Sequence, residues 1–231
     1  MRTLWRRGSE AAAAFRQTPP PAAESPWREV DWCAVDLELT GLDPRKDEII
    51  AIGAVPIHDG RLILGRSYYS LVRPGVAPSR PAVLVHKLRF KDLADAPGLA
   101  QGIDGLLEVL AGAVPVFHTA WVEEAFLGRA LRRHRLRLPA AADTEVLGRR
   151  WMARQEGDPP AHLGLARLSA SLGLPAETPH HALGDALTTA KAFIALASQF
   201  DALAPQTAGS LVAATVDGAE MPASARRFGP S

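Results

Sequence analysis

The 231-residue sequence contains a single cysteine, Cys33. One thiol excludes an internal disulfide and fits a reducing compartment. Set in an apolar run, it reads as a small buried hydrophobe rather than a reactive group. Net charge is nearly absent as well: 26 Lys and Arg oppose 25 Asp and Glu, leaving +1. No global field therefore recruits nucleic acid, and any such binding has to come from local patches. No apolar run approaches membrane-spanning length, and the N-terminus lacks the apolar core of a signal peptide, so a cytoplasmic protein without membrane partners is expected. Internal repeats are missing. What remains, 47% hydrophobic and 22% charged residues, describes one domain with a real core, plus tails.

The stretch around which the chain is organised runs from Val35 to Pro44. Trp32–Leu37 is apolar except for Asp36 and reads as a buried strand. Side chains two apart on a strand share a face, which sets Asp36 beside Glu38. Two unpaired carboxylates there raise each other's pKa, and a divalent cation removes that cost. An oxygen-only ligand set favours Mg²⁺ or Mn²⁺ over zinc. Asp-x-Glu alone is common, however, and taken by itself it is better read as a strand end with two solvated acids.

Residues 1–28 read as a flexible arm, with a short helix from Leu4–Arg7 and Ala11–Phe15 before Pro19-Pro20-Pro21 forces an extended linker. Ile50–Ile57 and Arg61–Val72 are predicted strands, joined by a hairpin at Asp59-Gly60. Pro56 marks an edge or a bulge in the first of them. Helical periodicity follows at Leu99–Leu110, a short strand at Ala113–Phe117 and a helix at Trp121–Arg135. A further short strand leads to Asp143-Thr144, one of which caps a helix running to Arg154. Leu163–Leu172 and Ala182–Phe200 are the last predicted helices, and 201–231 reads as a flexible or loosely docked tail. A three-stranded meander leading into alternating helices and strands implies a mixed α/β sheet with helices on both faces, the first and fourth strands meeting at its centre.

Three separated stretches gain weight together: Asp36-Leu37-Glu38, His118-Thr119-Ala120-Trp121-Val122-Glu123, and His180-His181-Ala182-Leu183-Gly184-Asp185. Singly, Glu123 and Asp185 are acids that complement helix dipoles, and the two histidines after Pro179 are surface residues. In this order they resemble the DnaQ-like 3′–5′ exonucleases of the DEDDh type, the family of the proofreading subunit of the bacterial replicative polymerase. Thr40-Gly41-Leu42-Asp43-Pro44, Asp47-Glu48-Ile49-Ile50 and, after Asp185, Ala186 and Thr188-Thr189-Ala190 extend the likeness across residues 29–200, the expected catalytic domain. The second motif departs from it. Where the family has His-Asn-Ala-x-Phe-Asp, this chain has Thr119, Val122 and Glu123 in place of Asn, Phe and Asp, and Leu39 replaces a usual Thr.

The resemblance implies a ribonuclease H-like, mixed five-stranded sheet flanked by helices. It also implies two Mg²⁺ or Mn²⁺ ions held by Asp36, Glu38, Glu123 and Asp185, with His180 as general base for hydrolysis at phosphorus. Val35, Leu37, Leu39 and Thr40 flank the terminal nucleotide, with the backbone amides of Leu39 and Thr40 near its 3′ hydroxyl, and His86 corresponds to a substrate contact. The expected substrate is a single-stranded or frayed DNA 3′ end, and a DNA polymerase is the implied partner. Asp36–Gly41 also resembles the start of the oligoribonucleases, which keeps RNA trimming as an alternative. A catalytically weakened nucleic-acid-binding or polymerase-associated module is a third reading. Eight arginines between Arg129 and Arg154 face two acids, Asp143 and Glu145. They make either a phosphate-tracking surface or a solvated arginine-rich face.

Overall fold

Alternation along β1 (Trp32–Leu39) decides which residues face which helical layer. In the computed structural model, which describes residues 9–155, 157–175 and 177–218, Trp32 and Ala34 pack with Phe193, Leu196 and Ala197 of α7 (Ala182–Leu203). Cys33, Val35, Leu37 and Leu39 pack on the other face with α3 (Leu99–Leu110) and α4 (Trp121–Arg133). Asp36 and Glu38 continue the even-numbered row, so the strand carries its acids toward α7.

Among the described residues the sheet has six strands rather than the five expected. β2 (Ile49–His58) is antiparallel to β1 on one side and to β3 (Arg61–Leu62) and β4 (Tyr68–Leu71) on the other. The predicted single strand Arg61–Val72 is thus two, broken by a 3₁₀ turn at Leu64–Arg66. Pro56 supplies the physical reason. Its carbonyl accepts from the Ile63 N–H, so its missing N–H faces the same side and interrupts the ladder between β3 and β4. β5 (Val114–Phe117) lies parallel to β1, and β6 (Ala142–Asp143) parallel to β5. The first strand and the Val114–Phe117 strand therefore are neighbours at the centre. A bulge at Glu38/Leu39 bends the end of the β1–β2 ladder beside the acids.

The arm and tail are packed where they are described. On α1 (Glu10–Gln17), Ala12 and Phe15 join the core formed with α3. Trp27 and Val30 are buried with Ala208 and Leu211 of α8 (Ala208–Gly218), and Pro26 bridges Thr207. Leu4–Arg7 lie outside the described residues. α5 (Thr144–Gln155) and α6 (Leu165–Ser171) complete the layer around α7, and α2 (Arg80–His86) stands beyond the end of β1. Among the described residues no helix is long and apolar enough to cross a membrane.

Candidate active site

One ligand atom from each of Asp36, Glu38 and Asp185 lies within 4.8 Å of the others. β1 supplies the first two, and the first turn of α7 supplies Asp185, whose Oδ2 accepts the His180 backbone N–H at 2.8 Å. Burial pushes the Asp36 carboxyl well above the ordinary range, and Glu123, Asp185 and Glu38 push it further. Burial raises Glu38 to about 7, with Asp185 adding to it. Asp185 is raised as well, by burial, against the lowering pull of the His180 N–H. Burial and mutual repulsion both favour the protonated forms of these clustered groups.

Glu123 reaches the same cluster from α4, the opposite layer. It is buried, its Oε2 has no hydrogen-bond partner, and burial raises its pKa, with Asp143, Glu124 and Glu38 adding to the shift. A buried, unpartnered carboxylate oxygen beside three clustered carboxyl groups suits a divalent cation and its waters. The donor set is carboxylate oxygen throughout, as Mg²⁺ and Mn²⁺ require. The residues present fit such a centre.

Asp143 carries a task that motif reading does not show. Its Oδ1 accepts from the N–H of Thr119 at 3.1 Å and of Glu145 at 2.8 Å, and its Oδ2 from Ala120 at 2.8 Å. One buried carboxylate therefore seats the starts of both α4 and α5, and with α4 it seats Glu123. Thr119 adopts φ +65°, the left-handed region that favours Asn and penalises β-branched residues. The Asp143 bond and a 2.8 Å bond from Thr119 Oγ1 to Glu145 Oε2 hold it there. His118 turns away from the acids: its Nδ1 lies 2.9 Å from Thr144 Oγ1, and burial lowers its pKa.

His180 is exposed with φ +58°, and its neighbour His181 stacks on Tyr69 at 4.7 Å between ring centroids. His86 is buried and its pKa lowered by that burial, against the raising effect of the Leu39 backbone; Nδ1 accepts from the Leu88 N–H. It lines a cavity of about 480 Å³ with Leu37, Glu38, Leu39, Val85 and Val122. Thr40 is placed differently from expectation. Its amide donates to the Glu48 carbonyl and its hydroxyl to Asp47 Oδ1, so it ties the turn after β1 and offers no free donor.

A family model described as Exonuclease matches residues 33–193, a span that includes all four acids and His180. The chain belongs to this exonuclease family. A DNA polymerase III subunit epsilon-like protein of Rhodobacter capsulatus is 32% identical over 209 residues, covering 89% of this chain and 28% of that protein. DNA polymerase III subunit epsilon of Rickettsia felis is 29% identical over 122 residues, or 50% of this chain and 53% of the relative. The chain thus spans only part of the curated relatives it matches. In fold it is similar to Exonuclease X, solved in complex with 5′ overhanging duplex DNA. The TM-score is 0.60 at 23% identity, covering 80% of this chain and 99% of that one.

Proposed function

We propose that this exonuclease hydrolyses the terminal phosphodiester at DNA 3′ ends and releases nucleoside monophosphates. The observation that carries the reading is the convergence of Asp36, Glu38 and Asp185 within 4.8 Å, with His180 at the start of the helix that bears Asp185. Asp36, Glu38 and Asp185 would hold one Mg²⁺ or Mn²⁺, and Glu123, through its unpartnered carboxylate, would support a second. Two such ions, when bound, neutralise charge on the scissile phosphate and stabilise the attacking and departing oxygens.

The remaining work falls to the chain itself. His180, exposed just before the helix that bears Asp185, accepts the proton of the attacking water as general base. The cavity beside Glu38 takes the terminal nucleotide, its apolar walls at Leu37, Leu39, Val85 and Val122 facing the base and sugar. Buried His86, with Glu38 and Ser79, supplies the polar part of its lining. The relatives' names support a DNA polymerase as partner.

Degradation of labelled single-stranded DNA, duplex DNA and RNA of equal length, each with Mg²⁺, Mn²⁺ or EDTA, tests this. Metal-dependent shortening of DNA from its 3′ end is expected. Faster loss of RNA would replace the substrate assignment with RNA trimming. Absence of hydrolysis under every condition would leave a binding module.

A further inference from the structure

We propose that an arginine-lined ledge leading away from the acids along α4 carries the sugar-phosphate backbone of the bound strand, several nucleotides from its 3′ end. The proposal rests on the nucleic-acid reading above and extends it to a second surface. Of the arginines concentrated between residues 129 and 154, half are occupied internally. Arg129 donates to the carbonyls of Pro44 and Asp47, and Arg149 to that of Pro160. Arg150 and Arg154 lie over the ring of Phe200. These hold the fold.

Arg132, Arg135 and Arg137 are different. All three are exposed, and no ion pair or hydrogen bond engages their guanidinium groups among the described residues. They gather along two adjoining cavities. The first, about 490 Å³, is lined by Glu124 beside the acid cluster and by Arg132 and Arg137 farther along. The second, about 380 Å³, adds Arg16 and Arg135. Leu136 and Leu138 line both. Arg132 sits in the last turn of α4, where a cation complements the helix dipole. Arg137 lies beyond the helix, and the dipole does not account for it.

Unpaired guanidinium groups above an apolar floor fit a strand whose phosphates meet the charges and whose bases meet the leucines. Arg132 stands nine positions after Glu123 on the helix, a rise of about 13.5 Å at 1.5 Å per residue. A strand rising roughly 3.4 Å per nucleotide covers that in about four nucleotides. A dinucleotide therefore fills the acid cluster without touching the ledge, while a 20-mer engages both.

The test compares the parent with Arg132→Gln/Arg137→Gln, and with Arg132→Lys/Arg137→Lys as the charge-preserving control. Fluorescence anisotropy of a single-stranded 20-mer in EDTA reads binding without hydrolysis. The Gln pair is expected to weaken affinity by roughly tenfold and to flatten the log K against log salt slope by about 1.4, the share of two phosphate contacts. The Lys pair should retain most of the slope. In the presence of metal, the fall in kcat/KM on the 20-mer should exceed that on a dinucleotide at least severalfold. An unchanged salt slope, or equal losses on both lengths, overturns the proposal. So does loss of binding to a polyglutamate peptide with 20-mer binding intact, which would assign the ledge to an acidic protein segment. If the parent hydrolyses nothing, the catalytic reading fails while anisotropy still decides the ledge.

Discussion

Gly53 of β2 lies directly beneath the Ala182 carbonyl: a Cβ built on Gly53 would come within 2.2 Å of that oxygen. Gly53 is also the register partner of Asp36 on β1 and of Tyr69 on β4. The bare backbone at this one position lets the start of α7 settle onto the sheet, where Asp185 meets Asp36 and His181 meets Tyr69. Gly53→Ala should lift the helix start. We expect a stability loss of about 1–3 kcal/mol and a fall in kcat of at least roughly tenfold, since small misplacements of catalytic groups are costly. Steady-state kinetics with a parallel thermal melt decide it, and a fully active variant would show that α7 is seated by other contacts.

Asp36→Asn and Asp185→Asn should each abolish hydrolysis while the fold persists. Each removes a cation ligand and also relieves repulsion within the cluster, so the metal-free melting temperature should hold or rise. An Asn variant that unfolds, yet keeps normal specific activity in its folded fraction, would refute the ligand assignment.

The same cluster sets a pH dependence in the metal-free protein. The Glu38 carboxyl stands at about 7 when folded, against roughly 4.3 in an unfolded chain. The folded state then binds more protons than the unfolded one between those values, so stability declines as pH rises through that window. Asp36 and Asp185, raised in the same direction, add to the decline. Melts in EDTA should show a lower midpoint at pH 8 than at pH 5. Added Mg²⁺ should restore stability most at the higher pH. A flat EDTA profile would mean that the acids are not proton-coupled.

Much of this arrangement is legible in the chain. Period-two alternation puts Asp36 and Glu38 on one face of β1, and the apolar periodicity of 182–200 predicts the helix that answers it. The break between β3 and β4 is half visible: Pro56 signals an irregularity, but not which side of β2 it falls on. Partners distant in sequence are what local pattern cannot show. Asp143-Thr144 announces a helix cap, yet nothing nearby reveals that Asp143 also binds the amides of Thr119 and Ala120 across 24 and 23 positions. Arg129 and Arg149 look like charge for a ligand until their carbonyl partners appear. The predicted arm and tail mislead for a related reason. Phe15, Trp27 and Leu211 are sparse apolar residues in Ala- and Pro-rich surroundings, and they become core only because the domain provides the other wall.

His180→Ala should lower turnover by roughly 10²–10⁴-fold, the contribution of one acid–base group, with 20-mer affinity little changed. The acidic limb of the pH–rate profile should shift or vanish with it. An unaltered profile would remove His180 from the proton transfer and leave its backbone N–H, bound to Asp185, as its contribution.

Thr119→Asn tests the left-handed turn before α4. Asn tolerates φ +65° better than a β-branched side chain does, by roughly 1 kcal/mol. Against that gain stands loss of the Thr119 hydroxyl bond to Glu145, worth about 1 kcal/mol. We expect the two to offset within about 1 kcal/mol in a denaturant titration. A larger loss would show that the Glu145 bond is the principal tie between the starts of α4 and α5.

Glu123 is where this chain departs from the family's acid, and its placement gives the departure a physical reading. The glutamate is longer by one methylene; its carboxylate bonds its own backbone N–H, and its Oε2 stays buried and unpartnered. Its helix start is fixed from behind through Asp143, and its charge raises the Asp36 pKa. Glu123→Asp shortens the arm while keeping charge, and activity should stay within a fewfold of the parent if water bridges the difference. A rise in activity with a weaker preference for Mn²⁺ would mean that the longer arm crowds the second site, since Mg²⁺ demands near-ideal octahedral geometry. Glu123→Gln keeps length and removes charge, and should cost well over tenfold in kcat. Full activity in the Gln variant would reduce Glu123 to a helix-dipole acid. Exposed Glu124, whose pKa burial also raises, would then be the next carboxylate to substitute.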